Sequence, residues 1–163
     1  MHESPDDLER LQALIDRSIE GAGAFLRNAF EMPDRSLSAE QLIERLQGSL
    51  TVALATTTAR GEPRVAPINA LFVRAAFHVP TVAQAARTRH LAARPAASLT
   101  YFEGTDLAVV AHGQVAIIDT NDPAFAELDG VQVQFGNESP TEWQGDGVYL
   151  RLDADRLFTY ARG

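Results

Sequence analysis

The hydrophobic period of this sequence changes close to Gly48, and that change constrains the fold more than any other feature. Before it, apolar residues recur about every 3.6 positions, which is typical of amphipathic helices. We predict one helix over residues 4–30, in which Gly21 and Gly23 are weak points, and a shorter helix over residues 38–48. Beyond Gly48 the period falls to two, which is the period of β-strands.

The second part of the sequence therefore predicts a series of short strands. A helix interrupts them at residues 81–93, with Thr81 as its expected N-cap, and a short helix opens at Asp122 and Pro123. The polar, glycine-rich stretch 129–147 is predicted to be mostly loop. The predicted strands, of which the last is expected to break near Asp153, are 50–58, 63–73, 75–80, 96–103, 107–119 and 148–161.

Most of these strands are followed directly by another strand, so an antiparallel sheet is favoured over a doubly wound parallel one. Closure of such a sheet removes its exposed edges. We predict a mainly β fold that also contains helices, a split β-barrel of the antiparallel, Greek-key type. Residues 1–48 would form an N-terminal helical extension, and residues 49–163 the barrel.

Composition excludes several classes of function. The chain has no cysteine, so disulfides, thiol nucleophiles and zinc–thiolate sites are ruled out. A formal net charge of −8 disfavours nucleic-acid binding. The acidic beginning MHESPDDLER is unlike a secretory signal, and no apolar run is long enough for a membrane span, so we expect a cytoplasmic protein without a membrane partner. No histidine and carboxylate cluster has convincing metal-ligand spacing.

Basic residues are concentrated in one segment of this acidic chain. Residues 59–94 contain six arginines and a single acid, Glu62. Guanidinium groups match phosphate oxygens with paired N–H donors, and a helix N-terminus offers unpaired amide groups to an anion. The segment therefore predicts a phosphate-type site in which Thr81, Arg64 and Arg87 converge.

Three stretches of residues resemble a known family. They are LTVALATTTARGEPRVAPI, FHVPTVAQAARTRHLAARPAASLTYF and VYLRLDADRLFTYA. In order and spacing they look like the flavin-binding split barrel of the pyridoxamine 5′-phosphate oxidase-like superfamily, over about two thirds of the chain. The resemblance implies an FMN-dependent oxidoreductase acting on an unidentified small molecule. It also implies a homodimer with each cofactor between the subunits.

The resemblance also implies roles for individual residues. Arg64 and Arg87 match the basic residues that bind the flavin phosphate, and Thr81 matches the threonine of the same site. Val65, Ala66 and Pro67 match the stretch that runs beside the isoalloxazine ring. Tyr160 stands where the oxidases have a tryptophan, and Trp143 is either an aromatic wall over the ring or a packing residue.

Departures from the family pattern leave alternatives open. Ala85 replaces the usual serine, and Arg87 replaces a lysine. The sequence runs to Gly163 and lacks the arginine and histidine that hold the substrate phosphate in true oxidases, so we do not expect oxidation of vitamin B6. A reductase that uses the deazaflavin F420, and a non-catalytic binder of flavin or haem, are the two alternatives. No catalytic acid or base is evident, and neither is a serine nucleophile paired with a histidine.

Overall fold

The computed structural model describes residues 2–163, and its six strands form a closed barrel in which all neighbours are antiparallel. The order around the barrel is β1-β2-β3-β6-β5-β4. The predicted antiparallel split barrel with accompanying helices is confirmed. The strands are β1 Leu50–Thr57, β2 Pro63–Val73, β3 Ala76–Val82, β4 Ala96–Glu103, β5 Leu107–Ile118 and β6 Gly147–Ala161.

Three helices precede the barrel: α1 Pro5–Gly21, α2 Ala24–Ala29 and α3 Ala39–Arg45. The prediction of one continuous first helix was wrong, because Ala22 adopts an extended backbone between two glycines of low helix propensity. Capping boxes at Ser4 and Ser38 begin α1 and α3. No helix of residues 2–163 combines the length and apolar character needed to cross a bilayer.

The N-terminal helices share one hydrophobic core with the barrel. Leu11, Leu14 and Ile15 of α1 belong to this core together with the inward residues of the strands, and so do Leu42 and Ile43 of α3 and Leu46 directly after it. The boundary after residue 48 stays a prediction. A shared core of this kind ties the position of α1 to the strands that it covers.

The helix predicted over residues 81–93 begins later than expected. Thr81 and Val82 continue β3, where they pair with Val148 and Gly147 of β6. The helix itself, α4, spans Ala86–Ala93. Thr81 is therefore a buried strand residue and not the helix N-cap, because the ladder with β6 satisfies its backbone.

A fifth helix, α5 Ala124–Gln134, extends into the stretch that was predicted to be loop. Its buried residues Phe125, Leu128 and Val131 pack against Leu71 and Tyr149 on the outer face of the barrel. The spacing of three residues between these apolar positions places them on one helical face. The polar composition of the segment concealed this short apolar face.

The long strand β6 does not break near Asp153 but contains an irregularity two residues later. His112 pairs with Arg156 while Gly113 pairs with Ala154, so Asp155 is the extra residue of a β-bulge. A Cβ atom on Gly113 would lie 2.1 Å from the carbonyl oxygen of Asp153. Glycine at this position therefore permits the close approach of the two strands.

Candidate functional site

A cavity of about 290 Å³ lies between α4 and the hairpin formed by β1 and β2. Four of the residues predicted to bind a cofactor line it, namely Arg64, Val65, Ala66 and Arg87. Two segments that are separated by more than twenty residues thus meet at one cavity. The cavity is the candidate cofactor site.

The hairpin register positions the first three of these residues. Arg64 pairs with Thr56 and Ala66 pairs with Leu54, and all four residues line the cavity. Directly paired residues of an antiparallel ladder lie side by side on the same face. Val65 points to the other face, where its side chain is 71% exposed. The hairpin therefore offers a cation and small apolar groups to the cavity, and an open apolar surface beside it.

The two arginines of the cavity differ in their partners. Arg64 donates to the Glu62 carboxylate at 2.9 Å and to the carbonyl oxygen of Pro63 at 3.0 Å. No carboxylate of residues 2–163 lies within 4 Å of the Arg87 guanidinium. Because two guanidinium groups face a single carboxylate, the cavity is positively charged and suited to an anion.

The N-terminus of α4 adds backbone donors to this charge. Ala85 is the N-cap, and no side chain of the described chain caps the helix. The first amide groups of a helix have no partner within the helix, and they carry a partial positive charge. Ala86, in the first turn, lines the cavity next to Arg87. Replacement of serine by alanine at position 85 removes a hydroxyl, but it leaves these amides without a competing side-chain acceptor.

His90 also lines the cavity, which the sequence analysis did not predict. Its Nδ1 lies 3.4 Å from the hydroxyl oxygen of the buried Thr56. The sequence spacing indicates that His90 lies on the same face of α4 as Arg87, since it follows Arg87 by three positions and residues three apart share a helical face. The Thr56 hydroxyl and the His90 imidazole make this wall of the cavity polar.

Two further predicted residues lie on the same elements but do not line the cavity. Pro67 continues β2 and is exposed, and it pairs with Ala53. Thr81 is only 4% exposed within β3. The short turn after β3 separates Thr81 from the uncapped first turn of α4.

The two predicted aromatic residues lie in other parts of the chain. Trp143 follows a short 3-10 helix, Pro140–Glu142, and is half-buried before β6 begins. Tyr160 lies near the end of β6, where its ring packs edge-on against Phe30 at 6.3 Å. Neither residue lines the cavity within one chain. Their predicted contact with a flavin ring therefore requires a second chain.

A second groove lies on the outer face of the barrel, with a volume of about 420 Å³. In it, the hydroxyl oxygen of Ser98 is 2.6 Å from Nδ1 of His112. The expectation that no serine is paired with a histidine was wrong for Ser98, because adjacent strands place it beside His112. No carboxylate hydrogen bond to His112 is found in residues 2–163, so the pair lacks the third member of a hydrolase triad.

The remaining strand histidine, His78, is enclosed. It is almost fully buried in β3, and its Nδ1 lies 3.0 Å from the carbonyl oxygen of Ala76. Burial lowers the pKa of His78 to about 4, so its ring is neutral near pH 7. Residues 2–163 contain no group of three or more histidine, aspartate or glutamate side chains arranged to hold a metal ion.

Comparison with known proteins supports the same reading of the fold and family. The family model described as pyridoxamine 5′-phosphate oxidase matches residues 38–161. The chain belongs to the pyridoxamine 5′-phosphate oxidase-like superfamily. The matched region includes α3, all six strands and α4. No curated protein matches the sequence significantly.

Solved structures of similar fold include a conserved hypothetical protein from Mycobacterium tuberculosis, with 19% identity and a TM-score of 0.66 over 79% of this chain and 88% of the other. A structure described as an F420 reductase has 19% identity and a TM-score of 0.56, covering 69% and 91% of the two chains. A pyridoxamine 5′-phosphate oxidase-related, FMN-binding protein from Nostoc punctiforme has 17% identity and a TM-score of 0.52, covering 67% and 72%. At these identities the structures show a common fold.

Proposed function

We propose that this protein is an FMN-dependent oxidoreductase that acts on a small molecule. The observation that carries the proposal is the convergence of Arg64, Arg87 and the first turn of α4 on one cavity. In a chain with a net charge of −8, a local excess of positive charge is suited to a specific anion. The superfamily and the FMN-binding relative support a flavin phosphate as this anion.

The residues present fit the phosphate end of the cofactor. Arg87, which has no carboxylate within 4 Å in the described chain, would be the main phosphate ligand, with Arg64 on the opposite wall. The uncapped amides of α4 would contribute hydrogen bonds, as they do at other helix-terminal phosphate sites. Thr81 is buried in β3, close to the turn that leads into α4, and we propose that it supports the phosphate site from there.

The stretch Val65–Pro67, which leads from the cavity wall at Val65 and Ala66 to the exposed Pro67, would lie beside the isoalloxazine ring. When bound, FMN supplies hydride or electron transfer at its ring. This chain would hold and orient the cofactor through its phosphate, and would offer an apolar surface at Val65 that excludes water from one side. None of the described side chains is assigned as a proton donor.

A homodimer would cover the rest of the ring, and the outer barrel face is suited to such contact. Phe102, which is 59% exposed, pairs with Ala108, and Ala108 pairs with Tyr160, so the three residues form an apolar row across adjacent strands. Exposed apolar rows of this kind favour association. We propose that Tyr160 and Trp143 act on the flavin bound by the partner subunit.

Binding of FMN is tested with the purified protein and an FMN titration that is followed by fluorescence quenching. Arg87→Ala should raise the Kd about 10- to 150-fold, since a hydrogen bond to a charged group contributes about 1.5–3 kcal/mol. Arg89→Ala is the matched control, because Arg89 is exposed on the same helix and does not line the cavity.

An equal Kd for the wild-type protein and Arg87→Ala would contradict this assignment of the phosphate site. A second experiment measures whether a reduced nicotinamide reduces the bound flavin. Reduction is expected of an enzyme, and no reduction is expected of a carrier. Sedimentation equilibrium measures whether the loaded protein has the mass of a dimer.

An F420-dependent reductase is the second candidate, because the same arginines fit any coenzyme phosphate and an F420 reductase is among the similar folds. Competition between F420 and FMN distinguishes the two. Preferential binding of F420, with Arg87→Ala again weakening it, would transfer the proposal to the deazaflavin.

A further inference from the structure

A second arginine-lined cavity, of about 560 Å³, lies between α1, the turn that joins β2 to β3, and β6. It shares no lining residue with the candidate FMN site. Four of its twelve lining residues are arginines, Arg10, Arg17, Arg74 and Arg151, and one is an acid, Asp153. Its volume lies within the range of small-molecule pockets, about 300–1,000 Å³.

The arginines reach this cavity from three separate elements. Arg10 and Arg17 lie seven positions apart on α1, which places them on one helical face. Arg74 lies in the two-residue turn between β2 and β3, where it and Ala75 have φ values of 54° and 59°. Arg151 lies on β6. The cavity therefore exists only when α1 is docked on the barrel.

Neighbouring carboxylates hold three of the arginines in place. Arg10 pairs with Asp7, Arg74 donates to Glu127 at 3.0 Å, and Arg151 donates through two nitrogens to Asp153. Each of these guanidinium groups retains further N–H donors, since a guanidinium carries five. The ion pairs thus fix the orientation of the donors without using all of them.

Arg17 differs from the other three arginines. It is exposed, and no carboxylate of residues 2–163 lies within 4 Å of its guanidinium. Of the acidic groups paired with these arginines, only Asp153 lines the cavity itself. Asp7 also lies 3.6 Å from Arg74, so three carboxylates, Asp7, Glu127 and Asp153, pair with three of the four arginines, and an added anion would complete the set by pairing with Arg17.

The rest of the lining is apolar. Seven of the twelve lining residues are leucine or alanine, and among them Leu11, Leu14 and Leu152 are already buried in the core. The open apolar surface comes from the four alanines, which are exposed or partly exposed, and an inorganic anion alone would leave it in contact with water. A ligand with an apolar body would cover it, at a gain of about 25 cal/mol per Å².

We propose that this cavity binds a small organic anion, in which a phosphate or carboxylate group meets the arginines and a small apolar body covers the alanine surface. The site is separate from the proposed flavin site. Its ligand bridges α1 to β3 and β6, so binding stabilises the docked position of the N-terminal helix.

Isothermal titration calorimetry with hexyl phosphate and heptanoate tests this proposal. The Arg87→Ala protein is used in parallel with the wild type, so that binding of phosphate at the candidate flavin site is recognised and the two proposals fail separately. Both probes are expected to bind more tightly than hexanol or inorganic phosphate alone, and to bind equally well when Arg87 is absent. The tighter of the two identifies the preferred anionic group.

Arg17→Gln is the decisive variant, because it removes a charge without breaking an ion pair. We expect it to weaken probe binding about tenfold or more, as for a lost hydrogen bond between charged groups. Arg45→Gln, at another exposed arginine without a carboxylate within 4 Å in the described chain, is the control and should leave the Kd unchanged. Equal binding by Arg17→Gln, hexanol binding as tight as that of hexyl phosphate, or no binding at millimolar probe would overturn the proposal.

Discussion

The two arginine cavities differ in how far apart their residues lie along the chain. The candidate FMN cavity takes both of its arginines from the segment 59–94, which is basic even as a sequence. The cavity beside α1 takes its arginines from positions 10, 17, 74 and 151. A charged site built from one segment can be recognised by composition, whereas one assembled from distant segments cannot.

The cavities also differ in the pairing of their charges. In the first, Glu62 holds one arginine and the other has no carboxylate partner in the described chain. In the second, three of the four arginines are paired. A site with fewer internal carboxylates competes less with an incoming anion, so we expect the first to bind a phosphate monoester more tightly. The proposed ligand of the second gains affinity from its apolar body instead.

The largest expected effect is a loss of folding stability in acid, and it arises at a residue beside the second cavity. His78 pairs across the ladder with Arg151 of the second cavity. Burial is the main cause that lowers the pKa of His78 from 6.5 to about 4, so the unfolded chain takes up a proton more readily than the folded one. The stability contributed by neutral His78 is complete above about pH 6.5 and is lost as the pH falls to about 4.

The lowering of the His78 pKa corresponds to about 3 kcal/mol of unfolding free energy. Urea unfolding between pH 7 and pH 4 measures it, with His78→Asn as the comparison, since an asparagine amide can donate to the Ala76 carbonyl but does not titrate. We expect the variant to lose less stability on acidification than the wild type. Parallel pH profiles for the two proteins would mean that the pKa of His78 does not differ between the folded and the unfolded chain.

An intermediate effect is expected at the start of α1, on which only the second cavity depends. Ser4→Ala removes the side chain that accepts from the Asp7 amide, and it should cost about 1 kcal/mol of unfolding free energy. Hexyl phosphate binding beside α1 should weaken while FMN affinity stays unchanged. Ser49→Ala, at an exposed serine, is the matched control, with an expected change of less than about 0.5 kcal/mol. A loss of FMN affinity in Ser4→Ala would show that the two cavities are coupled.

The smallest effect is expected from release of Arg64. Among residues 2–163, Glu62 is the only carboxylate paired with the arginines of the first cavity, and Glu62→Gln removes it. Because Arg64 is 55% exposed, the pair is worth about 0.2–1 kcal/mol, and the variant should bind FMN up to about fivefold more tightly. Glu44→Gln, at an exposed glutamate on α3, should have no effect. Weaker FMN binding by Glu62→Gln would mean that the ion pair positions Arg64 for the phosphate.

Much of the fold could be predicted because its signals are local. Capping boxes at Ser4 and Ser38 begin helices where their spacing indicates. The errors arose where tertiary pairing outweighed local preference. Thr81 has the features of a helix N-cap, but its ladder with Val148 keeps it in a strand. The apolar face of α5 is short. Packing against Leu71 and Tyr149 of the barrel stabilises the helix, although the sequence of the segment is largely polar.

The candidate site was predicted in part for the same reason. Arg64, Val65 and Ala66 are adjacent in sequence, and a single hairpin presents them together. His90 shares a helical face with Arg87, but that this face meets Thr56 depends on how α4 packs against β1, which no local pattern reports. The predicted roles of Trp143 and Tyr160 require contact between two chains and stay predictions.

The amino-acid sequence by itself determined the change from helical to strand periodicity, the antiparallel order of the strands and the basic segment that supplies the candidate phosphate site. Tertiary structure alone decided where β3 ends, that α5 continues into a polar stretch, and that Arg10, Arg17, Arg74 and Arg151 surround one cavity. The physical reason is the separation along the chain over which each kind of interaction acts. Periodicity, capping and local charge act over a few residues, whereas barrel closure and the docking of α1 bring together groups that are more than a hundred residues apart.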